Sequence, residues 1–202
     1  LAGIGRALRD GIGGRANAPV YDPVAIGRNG ISGGTTTMIF RRGQLVSTAP
    51  SLGGTVANCA GGPTPWGSWL TCEETIADGT YLGGLYHGFV FEVPAPSLGP
   101  ASAAPILDMG LMKHEAAAVD PASGIVYETE DNDPDSGFYR YLPNDRAARV
   151  GALEAGGRLE MLRVVGADGA DLDQPDTGQT FAVDWVPIDD PSALPEAAQG
   201  SF

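Results

Sequence analysis

The sequence is poor in the residues on which most metalloproteins and nucleic-acid-binding proteins depend. Its 202 residues include two cysteines, two histidines and 12 Lys plus Arg against 25 Asp plus Glu, which gives a formal net charge of −13. Nucleic acid and anionic membrane surfaces are therefore not expected as partners, because like charges repel. An acidic surface suits cations, and it also keeps a solvated or exported protein soluble, so charge alone leaves both explanations open.

Several familiar motifs are also missing. No run of about eighteen apolar residues is present, so no membrane span is predicted. Cys59, Cys72, His87 and His114 match none of the usual zinc spacings. The glycine pairs are not followed by the Gly-Lys-Ser/Thr of a P-loop, and no Gly-x-Ser-x-Gly nucleophile elbow occurs. The two cysteines leave three alternatives open: a disulfide, a buried thiol or a ligand thiolate.

Glycine and proline, in contrast, are abundant. The 30 Gly and 16 Pro favour many turns over long helices, and 43% hydrophobic residues argue against disorder. Short β-branched and aromatic segments recur every ten to twenty residues or so and predict some eight to ten strands, with a short helix at residues 147–153. We expect one all-β domain over residues 1–202, with residues 1–30 as a peripheral N-terminal segment. Sandwich, barrel and propeller are all compatible, and the strand-and-turn pattern favours propeller blades modestly.

The densest concentration of unusual residues lies between positions 58 and 75. The Gly- and Pro-rich residues 58–67 predict an irregular loop, and residues 68–74 predict a strand. Alternation places one set of side chains on each face: Leu70, Cys72 and Glu74 on one, and Trp69, Thr71 and Glu73 on the other. The two adjacent acids cannot both face solvent if both faces are covered. Because no basic residue lies between Arg42 and Lys113, a metal cation is the economical partner.

Three clusters of side chains are candidates for metal binding. They are Asn58, Cys59, Glu73 and Glu74; His114 with Glu115; and the acidic segment of Glu128, Glu130, Asp131, Asn132, Asp133 and Asp135. Oxygen donors suit Ca²⁺ or Fe³⁺, whereas a thiolate is a softer donor that Ca²⁺ would not select, so the combination indicates a transition metal beside a hard cation. The alternatives are a solvated turn for the acidic loop, which lacks EF-hand spacing, and a hydrogen-bonded structural role for His114.

Five collinear motifs closely resemble the PhoX-type alkaline phosphatases. They are Ser51–Thr55, Asn58–Glu74, His87–Glu92, Lys113–Asp120, and Tyr127–Asp131 with Ser136–Arg140. The resemblance runs from about residue 34 to residue 185. It implies a β-propeller of roughly six blades, of which this chain would hold the first ones, and a buried cluster of iron and calcium ions that hydrolyses phosphate monoesters.

The resemblance also implies roles for single residues. Cys59 corresponds to the thiolate ligand of iron, Glu74 and Glu115 correspond to its carboxylate partners, and Asp131 and Glu130 are further candidates. Fe³⁺ and Ca²⁺ are the implied cofactors, a phosphate monoester is the implied substrate, and no residue is assigned a direct catalytic role. We expect Cys59 to face Glu74 and Glu115 across a shared site, with Cys72 as a small core residue and no disulfide.

The family pattern extends beyond what this chain contains. A later Arg-x-Glu pair, which contacts phosphate and metal in the family, has no counterpart after Arg163. We therefore expect the chain to be the first half of the enzyme, with a signal peptide upstream of Leu1 and a periplasmic or secreted location. The alternative from another class of function is a non-catalytic β-propeller scaffold or metal-binding interaction module.

Overall fold

The protein is all-β throughout the residues that the computed structural model describes, namely 18–25, 32–77 and 84–193. Within these ranges there are ten strands and three single 3₁₀ turns. The strands are β1 Ser32–Arg41, β2 Gln44–Val56, β3 Asn58–Pro63, β4 Ser68–Glu73, β5 Val90–Pro94, β6 His114–Val119, β7 Val126–Glu130, β8 Phe138–Pro143, β9 Gly157–Val164 and β10 Val183–Pro187. The turns are Pro96–Leu98, Leu107–Met109 and Leu153–Ala155. No helix among these residues is long and apolar enough to cross a membrane.

Strands β1 and β2 form a two-stranded antiparallel hairpin, as the sequence predicts, but a longer one. Its turn lies at Arg42 and Gly43, both of which have positive φ. The far half of the hairpin is exposed on both strands, whereas Leu52 and Val56 at the end of β2 are buried. The hairpin is therefore anchored at its base only.

The other eight strands form two antiparallel meanders that meet edge to edge. Strands β3, β4 and β5 make the first meander, and β6 to β10 make the second. A parallel pairing of Gly61 on β3 with Ala116 on β6 joins them. The resulting strand order is β10-β9-β8-β7-β6-β3-β4-β5, and the sheets do not close on themselves. The prediction of an all-β protein is confirmed, and the predicted hairpin of β6 and β7 is present.

Two predictions of local structure were wrong. Residues 58–63 form strand β3 rather than an irregular loop, and residues 147–153 form turns followed by a 3₁₀ turn rather than a helix. The glycines of β3 allow the backbones of neighbouring strands to approach closely. A Cβ on Gly61 would lie 1.9 Å from the Leu70 carbonyl oxygen, and one on Gly62 would lie 1.8 Å from that of Ala117. Glycine here allows a strand to be packed tightly on both sides.

Two hydrophobic clusters cover the two faces of the first meander. One buries Leu70 and Cys72 against the second meander, with Val126 and Tyr141 among its members. The other contains Leu52, Phe89, Phe91, Val93, Ala101 and Leu111, with Tyr21 packed against it. Of the segment predicted to be peripheral, only residues 18–25 are described, and these are held by backbone hydrogen bonds to Gly53 and Gly54 of β2. The first meander is thus the central layer that positions the candidate site.

Candidate metal centre

The side chains that the sequence proposes as metal ligands come from strand ends that backbone pairing brings together. Glu74 follows β4 and pairs with Lys113, which immediately precedes β6. The backbone amide of Asp131, just after β7, donates to the carbonyl oxygen of Lys113 at 3.0 Å. The strand ends that carry the candidates therefore lie side by side. We call the set of Cys59, Glu74, Glu115, Glu130 and Asp131 the acidic rim.

The Cys59 thiol lies near the carboxylates of Glu74 and Glu115. The pKa of Cys59 is raised, first by burial and then by these two carboxylates, Glu74 before Glu115. That Cys59, Glu74 and Glu115 share a metal site stays a prediction. Among residues 18–25, 32–77 and 84–193, however, no three His, Cys, Asp or Glu side chains lie close enough together to hold a metal ion as they stand. To be held by three ligands, a bound ion would require one further side chain to move towards it.

Within the described residues, the acids of the rim have no cationic partner of their own. In the part of the chain that the structure describes, Glu74, Glu115 and Asp131 take part in no ion pair. One thiol beside several carboxylates is a donor set that suits Fe³⁺ with a hard cation nearby, so the chemistry of these side chains fits the ions implied by the family. The clustered negative charge favours a bound cation.

Glu73 has a partner that the sequence interpretation missed. Its Oε1 accepts from the Val56 amide at 2.7 Å and lies 2.7 Å from Nδ1 of His87, while its Oε2 accepts from the amides of Gly88 and Phe89 at 2.8 and 3.1 Å. Glu73 thus meets His87, fourteen positions later in the chain, rather than a metal cation.

His87 extends this contact into a buried three-residue network. Its Nε2 lies 3.3 Å from Oδ2 of Asp22, and all three side chains are at most 1% exposed. Burial alone would lower the pKa of His87, but the hydrogen bonds and charges of Glu73 and Asp22 outweigh it and the net pKa is raised. Burial likewise opposes ionisation of Asp22, yet hydrogen bonds from Val24, Leu85 and His87 lower its pKa. This network fastens residues 18–25 to the first meander.

Asn58 also has a structural role. Its Oδ1 accepts from the Gly34 amide at 3.0 Å and from the Thr55 hydroxyl at 2.6 Å, and its Nδ2 donates to the Thr71 hydroxyl at 2.9 Å. Asn58 therefore ties the base of the hairpin to β4. Of the first predicted cluster, only Cys59 and Glu74 remain available for a ligand.

His114 and Glu128 form a second buried contact, between β6 and β7. The His114 Nε2 lies 3.0 Å from the Gly110 carbonyl oxygen, and its Nδ1 lies 3.2 Å from Oε2 of Glu128. Burial raises the pKa of Glu128. Nδ1 of His114 and both oxygens of Glu128 lack a hydrogen bond of good geometry within the described residues. The structural alternative for His114 agrees with its bond to Gly110.

The acidic segment divides into an engaged part and a solvated part. Glu130 Oε2 accepts from the Gly137 amide at 3.1 Å and from the Tyr139 hydroxyl at 2.9 Å. Asp131, Asp133 and Asp135 are exposed. The loop closes through a backbone hydrogen bond from Asp135 to Asn132, which agrees with the solvated-turn alternative for residues beyond Asp131.

Comparison with known protein families matches residues 27–201 to the family described as alkaline phosphatase PhoX. The match covers most of the sequence. The chain belongs to the PhoX family. Membership indicates an alkaline-phosphatase-like function in a family that depends on metal ions and is typically secreted or periplasmic. No curated protein and no solved structure matches the chain.

Proposed function

We propose that this protein is a metal-dependent phosphatase that hydrolyses phosphate monoesters. The observation that carries the proposal is the position of the Cys59 thiol beside the carboxylates of Glu74 and Glu115, in a chain of the PhoX family. Phosphate esters are anions and the acidic rim would repel them. A phosphatase built on this rim therefore requires cations between the protein and its substrate.

Cys59, Glu74 and Glu115 are the proposed ligands, and Asp131 and Glu130 are further candidates. Fe³⁺ and Ca²⁺, when bound, would act as Lewis acids that neutralise charge on the phosphoryl group. A ligand thiol must lose its proton, and the Glu74 carboxylate near Cys59 is a group that could take it up. Without a cation the neighbouring carboxylates oppose this step, and a cation removes the opposition.

We also propose that the two meanders are the first blades of a β-propeller of roughly six blades. The parallel contact between β3 and β6, the first strands of their respective meanders, supports this proposal, because inner strands of successive blades run side by side. The hydrophobic cluster that residues of both meanders share supports it as well. We propose a periplasmic or secreted location because members of the family are typically found there.

The test is reconstitution with metal. The protein is stripped with a chelator, supplied with Fe³⁺ and Ca²⁺, desalted, and assayed with a chromogenic phosphate monoester and a diester. We expect monoester hydrolysis that the chelator abolishes. Glu74→Gln should lose both retained iron and rate by more than about 100-fold, because even outer-shell partners of a metal contribute 10- to 100-fold. Glu154→Gln is the matched control, since Glu154 is exposed and, among the described residues, accepts a side-chain hydrogen bond from Ser102 alone.

The outcomes separate the competing functions. Absence of both iron retention and hydrolysis contradicts the proposal. Iron retention without hydrolysis of either ester favours the non-catalytic metal-binding propeller instead. If Glu74→Gln hydrolyses the monoester and its iron content is unchanged, the proposed activity stands but the assignment of Glu74 as a ligand is refuted.

A further inference from the structure

Cys59 and Cys72 lie directly opposite each other on the antiparallel strands β3 and β4. Directly opposed residues in such a pair have Cα atoms about 4.5 to 5.5 Å apart and side chains on the same face of the sheet. A disulfide needs a Cα separation of about 4.4 to 6.8 Å. Both cysteines are unbonded thiols. The backbone is therefore already placed for a cross-strand disulfide without moving either strand.

The two thiols differ in access. Cys72 is completely buried in the cluster between the meanders, whereas Cys59 is half-buried and lies near Glu74. The Cys59 side chain thus has two neighbours, Glu74 and Cys72. Rotation about the χ1 bonds, each of which has three staggered positions, is the movement by which the sulfur would exchange one neighbour for the other.

We propose that Cys59 and Cys72 form a reversible cross-strand disulfide, and that this bond withdraws the Cys59 sulfur from the acidic rim. The bond itself rests only on the pairing of β3 with β4. Its consequence, loss of the thiolate ligand and hence of activity, rests on the proposed function. The pair would thereby act as a redox switch for metal loading.

The oxidant is a low-molecular-mass disulfide such as oxidised glutathione. The Cys59 thiolate attacks one sulfur of glutathione disulfide, forming a mixed disulfide and releasing one glutathione thiolate, which takes up a proton. The Cys72 thiolate then attacks the Cys59 sulfur and releases the second glutathione. In total the two protein thiols lose two electrons and two protons, and glutathione disulfide gains them as two thiols. Cys59 attacks first because it is the accessible partner.

The first arm of the test uses the metal-free, reduced chain in buffers of graded glutathione ratio. Thiol titration should fall from two per chain to none, with a mass loss of two hydrogens and no retained glutathione. No Lys or Arg lies between Arg42 and Lys113, so trypsin leaves both cysteines on one peptide. Chymotrypsin cuts after Trp66 and Trp69 and yields two peptides that remain joined until they are reduced. This linkage should be independent of protein concentration.

Cys72→Ala is the matched control, since it keeps a small apolar side chain in the core. It should stop at the mixed disulfide and carry one glutathionyl group on Cys59. Persistence of a mixed disulfide or of two thiols in the wild type, under conditions that oxidise glutathione fully, would overturn the proposal. The wild-type measurement stands on its own if the variant does not fold.

The second arm measures Fe³⁺ retained after desalting, for the reduced and the oxidised chain. The reduced chain should retain iron, the oxidised chain should lose it, and reduction with dithiothreitol should restore it. Equal iron retention in the reduced and the oxidised chain would refute the redox switch but would leave the proposed disulfide unaffected. If neither state binds iron or hydrolyses monoesters, the proposed function fails, and the first arm still decides whether the disulfide forms.

Discussion

Glu73 and Glu74 are neighbours in the chain but lie in different environments. The Glu73 side chain lies on the face of β4 where the amides of Val56, Gly88 and Phe89 and the ring of His87 satisfy both carboxylate oxygens. The Glu74 side chain lies on the other face, near Cys59. The reversal of side chains along a strand separates the two roles by a single residue. A substitution of Glu73 is therefore expected to affect stability, and one of Glu74 is expected to affect metal binding.

At the residue scale, His87 should make stability depend on pH on the alkaline side. Its pKa is raised in the folded protein by Glu73 and Asp22 against the effect of burial. Its contribution is therefore complete below its unfolded pKa of about 6.5 and is lost as the pH rises through the raised folded value. We expect the urea midpoint of the wild type to fall from about pH 6 to about pH 9, with a smaller fall in His87→Gln.

The acidic side behaves in the opposite sense through Asp22. Its lowered pKa contributes stability that is present above the unfolded value of about 3.9 and is lost as the pH falls through the folded one. Asp22→Asn should therefore reduce the loss of stability at low pH. It should leave much of the fall in the urea midpoint at high pH, because Glu73 still pairs with His87. An alkaline-side fall of equal size in the wild type and in His87→Gln would show that other groups cause it.

At the scale of a single element, strand β3 depends on glycine. An alanine Cβ at Gly61 would lie 1.9 Å from the carbonyl oxygen of Leu70, so β3 and β4 would have to separate. We expect Gly61→Ala to lower the free energy of unfolding by more than about 3 kcal/mol, measured by urea denaturation, because it adds a backbone clash to conformational strain.

Gly43→Ala is the matched control for that substitution. Gly43 also has positive φ, at 77° against 59° for Gly61, but a Cβ added to it in the hairpin turn would have nothing within 4 Å. Gly43→Ala should lower the free energy of unfolding only by the cost of placing alanine at positive φ, about 1 to 2 kcal/mol. Equal losses in the two variants would mean that strain alone, and not the contact with β4, determines the need for glycine in β3.

At the scale of the whole molecule, the open sheets and exposed apolar residues favour association. The described sheet ends at β5 and β10, and Met38, Phe40 and Leu45 near the tip of the hairpin are more than half exposed. A second aromatic surface, on the β7–β10 side, contains the exposed Phe138 and the half-buried Tyr127 and Trp185, with the Arg140 guanidinium 4.4 Å from the Trp185 ring centre. Unpaired edges and apolar surface promote contact between chains.

We therefore expect the chain to be oligomeric or prone to aggregation in isolation, with light-scattering mass that rises with concentration. Phe40→Glu should reduce this association, because it places a charge on the exposed hairpin. Gln179→Glu adds the same charge at an exposed position elsewhere and should have a smaller effect. A monomer at all concentrations with one cooperative unfolding transition would contradict the expectation and indicate a self-contained β domain.

Many of the local elements, and the family, follow from local signals in the sequence. Alternation along residues 68–73, the turn at Arg42 and Gly43, and most of the β-branched and aromatic segments correspond to strands and turns of the structure. The five collinear motifs were sufficient for the resemblance to PhoX, which the family comparison confirms.

Which distant residues meet depends on how the strands pack. The partnership of Glu73 with His87, the opposition of Cys59 and Cys72, and the approach of Asp131 to Lys113 all depend on strand register. Register is set by the packing of whole faces and by close backbone contacts, such as those of Gly61 and Gly62, and neither is visible in a local pattern. For the same reason a Gly- and Pro-rich segment that predicts a loop became β3, the strand that joins the two meanders.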